Sequence, residues 1–121
     1  MADELTERII GAAIEVHRVL GPGLLEAIHL DALCIELEIR GISFARQVDA
    51  AVQYKGHTLR GQRLDLLVGG EVVVEIKSVM NLPDVAMAQV LSYLKATGLK
   101  RGLLFNFGQS RLIDGVKRIS L

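Results

Sequence analysis

The fold is decided by residues 63–77, RLDLLVGGEVVVEIK, in which two hydrophobic runs lie on either side of a glycine pair. Apolar and polar side chains alternate over residues 58–68, which is typical of a strand with two different faces. One face carries Leu64, Leu66 and Val68, and the other carries Arg63, Asp65 and Leu67. The run Val72–Val74 indicates that the strand over residues 71–79 is central and covered on both sides. The stretch therefore predicts an antiparallel hairpin inside a sheet.

Charged side chains interrupt this apolar hairpin near one end. Glu75 and Lys77 share one face of the second strand, because side chains alternate along it. Asp65 faces Glu75 only if Val68 pairs with Val72, which makes the loop three residues long. A two-residue turn at the glycines would separate the two carboxylates. Three-residue hairpin loops with a glycine are common, so we expect the register that brings the carboxylates together.

Two carboxylates at strand spacing repel each other unless a cation lies between them. Hard oxygen ligands of this kind suit Mg²⁺ or Mn²⁺. Such an ion polarises a phosphoryl oxygen and lowers the pKa of a bound water, and Lys77 would orient that water or neutralise the developing negative charge. The alternative interpretation is that Glu75 and Lys77 form an exposed ion pair at a strand end.

Two helices carry further candidate residues. Glu26 lies in the first turn of the second helix, either as a partner of the helix dipole or as a further carboxylate directed at a metal. Gln89 and Tyr93 are four residues apart on the third helix and share one face, either to hold a phosphate or as its polar flank. The second helix has two apolar stripes, which predicts burial on more than one side.

The remaining elements follow from periodicity and from glycine and proline stops. The predicted elements are helices over Asp3–Leu20, Gly23–Gly41 and Pro83–Gly98, a turn over 55–57, and strands over Phe44–Tyr54, Thr58–Val68, Glu71–Val79, Arg101–Phe107 and Val116–Leu121. The order is ααβββαβ, with or without the final short strand. We therefore expect a single α/β domain over residues 1–121, with a mixed sheet of four to five strands flanked by helices.

Composition limits the function. Half of the 121 residues are hydrophobic and 4% are aromatic, so the core is aliphatic. Lys and Arg total 14 and balance 14 Asp and Glu, which excludes a global positive field and makes any nucleic-acid contact local. One cysteine, Cys34, excludes a disulfide framework and favours a reducing, cytoplasmic location. His17, His29 and His57 lack ligand spacing. Neither a signal peptide nor a membrane span is predicted.

Several of these motifs together resemble the bacterial GxxExxY family over nearly the whole chain. They are Gly23–Ile28, Arg63-x-Asp65, Glu75-Ile76-Lys77, Gln89 to Tyr93 and Leu103–Gly108. That family is assigned to the PD-(D/E)xK nuclease-like superfamily, whose restriction-endonuclease-like core has the order helix, three antiparallel strands, helix, strand.

The resemblance implies a role for each site residue. The implied metal ligands are Asp65, Glu75, the backbone carbonyl of Ile76 and Glu26, the implied catalytic lysine is Lys77, and the implied substrate-binding residues are Gln89, Tyr93 and Arg63. The sequence departs from the family at two positions. His29 replaces the tyrosine of the family motif, and Ala86 replaces a histidine expected shortly before the glutamine. Both departures concern a substrate contact more than the metal.

The leading hypothesis is therefore a Mg²⁺- or Mn²⁺-dependent nuclease that hydrolyses phosphodiester bonds, with DNA as its partner. Two alternatives stay open. One is a catalytically inactive nuclease-fold module with an interaction or regulatory role. The other is a chain that needs a partner subunit, and the aliphatic excess suits a homodimer.

Overall fold

The computed structural model describes residues 3–121 as three helices, seven strands and one short 3₁₀ helix. The elements are α1 Glu4–Leu20, α2 Glu26–Ile39, β1 Phe44–Asp49, β2 Val52–Tyr54, β3 His57–Leu59, β4 Arg63–Val68, β5 Val72–Lys77, α3 Asp84–Thr97, β6 Arg101–Asn106, a 3₁₀ helix Leu112–Gly115, and β7 Val116–Ser120. The predicted element order and α/β class are confirmed, including the final short strand. Within residues 3–121, no helix combines the length and the apolar character needed to cross a membrane.

Five strands form one mixed sheet in the order β1-β4-β5-β6-β7. Strands β1, β4 and β5 are antiparallel neighbours, β6 runs parallel to β5 after the α3 crossover, and β7 returns antiparallel to β6. Helices α1 and α2 cover one face of the sheet, and α3 covers the other. Residues 72–76 are all buried, so the prediction that β5 is central is confirmed.

The hairpin between β4 and β5 has the register that the candidate site requires. Val68 pairs with Val72, and Leu66 pairs with Val74. Residues 69–71 form the loop, in which both glycines have positive φ angles of 60° and 68°. Glycine adopts this backbone conformation without steric strain, so the glycine pair selects the three-residue loop.

Two predicted strands are each divided by a break in the structure. The predicted strand over 44–54 becomes β1 and β2, and the predicted strand over 58–68 becomes β3 and β4. Strands β2 and β3 form a separate two-stranded ribbon, and residue 57, predicted to lie in a turn, is the first residue of β3. The break occurs because Ala50 turns into the core beneath α3, where its N–H donates to the carbonyl of Gln62 at 2.8 Å.

The alternation of side chains along β4 changes phase at Asp65. Leu66 and Val68 pack under α1 and α2, but Leu64 packs under α3. The paired strand β1 shows the same change at Gln47, whose φ angle is 53°. The prediction that Leu64 shares a face with Leu66 is therefore wrong, because both strands twist where the ladder between them skips Gln47 and Asp65.

Helix α2 is buried on one side only, so the prediction of burial on more than one side is wrong. Leu30, Leu33 and Leu37 lie in the core. The other apolar stripe, which includes Ile35 and Ile39, faces solvent, where these residues are 59% and 73% exposed. Helix α1 packs beside α2 on the same face of the sheet and leaves this stripe uncovered in a single chain.

Candidate active site

Asp65 and Glu75 lie where the ladder between β4 and β5 stops. The backbone N–H of Asp65 donates to Glu75 Oε1 at 2.8 Å, and the backbone N–H of Ile76 donates to Asp65 Oδ2 at 2.9 Å. Each carboxylate therefore takes the place of a backbone acceptor on the neighbouring strand. The predicted convergence of the two carboxylates follows from the Val68–Val72 register, which places Asp65 directly opposite Glu75.

Burial makes the charge on Glu75 unfavourable. Its side chain is 3% exposed on the face of β5 that α3 covers. Desolvation, together with the negative charge of Asp65, raises the pKa of Glu75 from 4.5 to about 8. Lys77 opposes this rise, because its positive charge favours the ionised carboxylate. The alternative interpretation of Glu75 and Lys77 as an exposed ion pair is therefore wrong.

Lys77 and Glu26 complete the charged group at the end of β5. Lys77 is half-buried two residues after Glu75, on the same face of the strand. Glu26 begins α2, and partial desolvation raises the pKa of its carboxyl, with Lys77 lowering that pKa and Asp65 raising it. Ser78 Oγ donates to the carbonyl of Leu24 at 3.0 Å and so ties the start of α2 to the end of β5.

Helix α3 brings Tyr93 and Gln89 to the same carboxylates. Tyr93 is 3% exposed, and burial, followed by the negative charges of Glu75 and Asp65, raises the pKa of its hydroxyl to about 12. The Gln89 side chain interacts with this hydroxyl and lowers its pKa. The two residues share one side of α3 as predicted, but Tyr93 lies in the core rather than on a solvated flank.

Arg63 lies at the exposed start of β4, two residues before Asp65. Its strand partner is Asp49, which instead accepts a hydrogen bond from Arg60 at 3.0 Å. Among residues 3–121, no three acidic, histidine or cysteine side chains are arranged to hold a metal ion by themselves. A cation at this end of the sheet would therefore need oxygen ligands besides side chains.

The sequence pattern did not predict the role of Asn106, which pairs with Lys77 across β5 and β6. Asn106 Oδ1 accepts from the N–H groups of Val79 and Gly108, both at 3.0 Å, and Asn106 Nδ2 donates to the carbonyl of Val79 at 3.0 Å. A Cβ atom at Gly108 would lie 2.2 Å from that carbonyl oxygen, so the close approach requires glycine. The sequence signal was the Asn106-Phe107-Gly108 triplet at the end of a buried strand.

One comparison with known proteins agrees with the fold. A sequence model described as the PD-(D/E)XK nuclease superfamily matches residues 3–119. The chain belongs to the PD-(D/E)XK nuclease superfamily. No curated protein and no solved structure matches the chain. Members of the superfamily generally use divalent metals, so membership indicates nuclease function, nucleic-acid binding and a metal in general terms, and the α/β structure agrees with a restriction-endonuclease-like fold.

The two departures from the resembled family both lie in the core of this superfamily member. His29 is fully buried and stacks on Phe107 with ring centroids 4.5 Å apart. Its Nε2 lies 2.9 Å from the carbonyl of Gly21, which holds the turn between α1 and α2. Ala86 is 2% exposed and lies on the buried side of α3. Neither side chain reaches the protein surface.

We expect Asn106→Ala to destabilise the protein by about 2 kcal/mol, because it removes three hydrogen bonds to backbone groups at the end of β5. Asn106→Asp keeps the acceptor but places a buried carboxylate oxygen against the Val79 carbonyl, so its effect should be at least as large. Denaturant unfolding measures both changes, and the exposed Asn81→Ala is the matched control. Equal stability of Asn106→Ala and Asn81→Ala would contradict this role.

In a metal-free buffer, the free energy of unfolding should fall as the pH rises between about 5 and 8. Over this range folded Glu75 keeps a proton that the unfolded chain has released, because its pKa rises from 4.5 to about 8 on folding. The stabilising contribution is complete below the unfolded pKa and is lost as the pH passes the folded one. Denaturant unfolding of wild type and Glu75→Gln tests this, because the fall should disappear in the variant. Parallel pH profiles would contradict it.

Proposed function

We propose that this protein is a metal-dependent nuclease that hydrolyses phosphodiester bonds of DNA, with Mg²⁺ or Mn²⁺ held at Asp65 and Glu75. The observation that carries the proposal is the interlocked carboxylate pair, in which Glu75 is buried beside a second acidic group. Bringing two carboxylates together away from water is unfavourable without a cation. Such an arrangement in a nuclease-superfamily chain is best explained by the metal that neutralises it.

The oxygen atoms at this position fit a hard divalent cation. Asp65 and Glu75 each use one carboxylate oxygen for a backbone hydrogen bond, which leaves the other oxygen of each group available. Ile76 donates its N–H toward Asp65, and in an extended residue the carbonyl lies on the same side of the strand as the N–H. The proposed direct ligands are these two carboxylates and the Ile76 carbonyl, and Glu26 would add negative charge near the ion without being a third side-chain ligand.

A divalent cation here would polarise the phosphoryl group and lower the pKa of a bound water. The chain supplies the remaining groups. Lys77 would orient the attacking water or neutralise negative charge that develops on the phosphate. Gln89, Tyr93 and Arg63 would hold the phosphate on the side of the sheet that α3 covers. The Tyr93 hydroxyl stays protonated near neutral pH, so it can donate a hydrogen bond to a phosphate oxygen.

We also propose that the chain is a GxxExxY protein within the superfamily. Gly23 and Glu26 support this, because the loop before α2 is tied to the end of β5 through Ser78 and so presents Glu26 to Lys77. The core position of His29 is consistent with replacement of the motif tyrosine without loss of the acidic group.

Binding of a divalent ion should raise the melting temperature. Bound ligand stabilises the folded state in proportion to the logarithm of its concentration, so a gain of at least about 5 °C is expected at roughly 100-fold above Kd. Asp65→Ala should remove the gain, and Glu38→Gln, an exposed acid on α2, should retain it. Thermal melting in chelator, Mg²⁺ and Mn²⁺ measures this. A wild type that melts identically in all three buffers would favour the inactive interaction module.

Dimerisation also stays a prediction. A second copy would cover the exposed stripe of Ile35 and Ile39 on α2, at 59% and 73% exposure, together with Leu25 immediately before the helix at 77%. Sedimentation of wild type against Ile35→Glu tests it. A monomer in both cases would contradict the homodimer.

A further inference from the structure

The ribbon of β2 and β3 is a longer connection than the sheet needs. Strands β1 and β4 are antiparallel neighbours, which a two-residue turn can join. Instead, residues 50–62 leave the sheet at the end where β4 begins, two residues before Asp65. Residues 53–60 are all exposed, and a two-stranded ribbon alone contributes little stability. The stability of the core therefore does not explain why the chain has this extension.

The two faces of the ribbon differ in chemistry. Gln53 and Thr58 lie opposite each other on one face, where Gln53 Nε2 donates to Thr58 Oγ1 at 3.1 Å. Tyr54 and His57 are opposite each other in the register of the other face, and both residues are exposed. The Tyr54 side is not covered by the rest of the chain, since that residue is 58% exposed. An uncovered pair of rings is suited to stacking on an unpaired base.

Positively charged side chains lie near the Tyr54 ring. Lys55 Nζ lies 5.5 Å from the centroid of the Tyr54 ring, so cation and ring occupy the same tip. Arg60 lies beyond β3 and Arg63 begins β4, while no Asp or Glu occurs from residue 50 to residue 64. Among residues 3–121, neither Lys55 nor Arg63 forms a salt bridge. The chain has zero net charge, but residues 50–64 form a locally positive surface that is complementary to phosphate.

A groove connects the ribbon with the helix that serves the candidate site. It has a volume of about 320 Å³ and lies between residues 51–53 of the ribbon and Ser92, Lys95 and Ala96 of α3. Gln62 Nε2 donates to Ser92 Oγ at 3.5 Å, which joins the base of the ribbon to α3. Tyr93 follows Ser92 along the helix and interacts electrostatically with Glu75 and Asp65. Lys95 adds a further exposed cation to this path.

We propose that the ribbon is a nucleic-acid arm that binds a single-stranded segment of the substrate, with Tyr54 and His57 stacking on bases and Lys55 and Arg63 contacting phosphates. This inference rests on the proposed function, because it assigns a substrate form to the same site. Unpaired bases are required, since a base inside a duplex does not present its face to an exposed ring. The arm leads such a strand along α3 toward Asp65.

The test is the binding of a fluorescent single-stranded DNA of about 15 nucleotides, measured by anisotropy in chelator so that no metal-dependent cleavage occurs. Tyr54→Ala should weaken binding about tenfold, whereas Tyr54→Phe, which keeps the ring, should bind within about twofold of wild type. Lys55→Ala should weaken binding a few fold and reduce the slope of log K against log salt by about 0.7. Lys100→Ala, which removes an exposed lysine at the opposite end of β5 from the site, is the matched control.

The outcomes separate the arm from the proposed chemistry. If ring-dependent binding occurs without any metal-dependent cleavage, the proposal of a nucleic-acid arm is supported and the proposed nuclease function is contradicted. If metal-dependent cleavage occurs but Tyr54→Ala binds DNA like wild type, the arm is overturned and the exposed rings belong to another partner, such as a protein surface. Tighter binding of the matched duplex, or no binding by wild type, also overturns the proposal. Melting temperatures of all variants should agree, because these side chains are exposed.

Discussion

Lys77→Ala should lose metal-dependent cleavage by a factor of about 100 or more, while its affinity for the divalent ion stays equal or rises. The loss is expected because a positioned group that orients water or stabilises developing charge contributes rate enhancements of this size. Affinity should not fall, because the substitution removes a positive charge that shares the end of β5 with Glu75. Initial cleavage rates and metal titration by calorimetry measure the two effects separately.

Lys100→Ala is the matched control for this variant. Lys100 is exposed and precedes β6, whose first residue pairs with Val72 at the opposite end of β5. A surface lysine of this kind contributes well under about 1 kcal/mol and nothing to cleavage. If Lys77→Ala and Lys100→Ala cleave DNA at the same rate as wild type, Lys77 has no part in the chemistry.

Glu75→Gln should abolish cleavage and at the same time stabilise the metal-free protein. The amide keeps the acceptor for the N–H of Asp65 and removes a buried charge whose pKa has risen to about 8. Replacing an uncompensated buried charge by a neutral group of the same shape is commonly neutral or stabilising by about 1–4 kcal/mol. Cleavage should fall by about 10³-fold or more, because the cation loses a charged ligand.

Thermal melting in chelator at about pH 8 and a cleavage assay decide this prediction together. Glu38→Gln removes an exposed acid from α2 and should change neither property. A Glu75→Gln protein that is both less stable and fully active would show that Glu75 is a structural side chain with no metal-dependent role.

The site's acidic pair was predictable because it depends on local rules. Alternation places Glu75 and Lys77 on one face, and the glycine pair selects the loop that brings Asp65 opposite Glu75. The central position of β5 was equally predictable, since an uninterrupted valine run is typical of a strand covered on both faces. Helix ends followed from Pro83 and from Gly98, whose φ angle is 76°.

The remaining features depend on contacts between distant parts of the chain. The phase change at Gln47 and Asp65 arises where two strands twist together, and hydrophobic alternation within either strand cannot reveal it. Burial of Tyr93 depends on how α3 lies on the sheet. Likewise, the two stripes of α2 are equally apolar in sequence, and only packing against α1 and the sheet determines that one of them is exposed.

The hydrogen bonds of Asn106 also depend on contacts between distant parts of the chain. The predicted strand over Arg101–Phe107 includes Asn106 but assigns its side chain no partner. In the structure, three hydrogen bonds join Asn106 to Val79 and Gly108 and fix the chain immediately after Lys77. No spacing rule relates residues 79 and 106, because the parallel crossover through α3 brings them together.

A cleavage time course tests most directly whether Asp65 and Glu75 hold a divalent ion for phosphodiester hydrolysis. Supercoiled plasmid and single-stranded DNA are incubated with wild type in Mg²⁺, in Mn²⁺ and in chelator, beside Asp65→Ala purified identically. The account predicts cleavage by wild type with metal, none in chelator and none by Asp65→Ala. Absence of cleavage by wild type in both metals, or equal cleavage by Asp65→Ala, would contradict it.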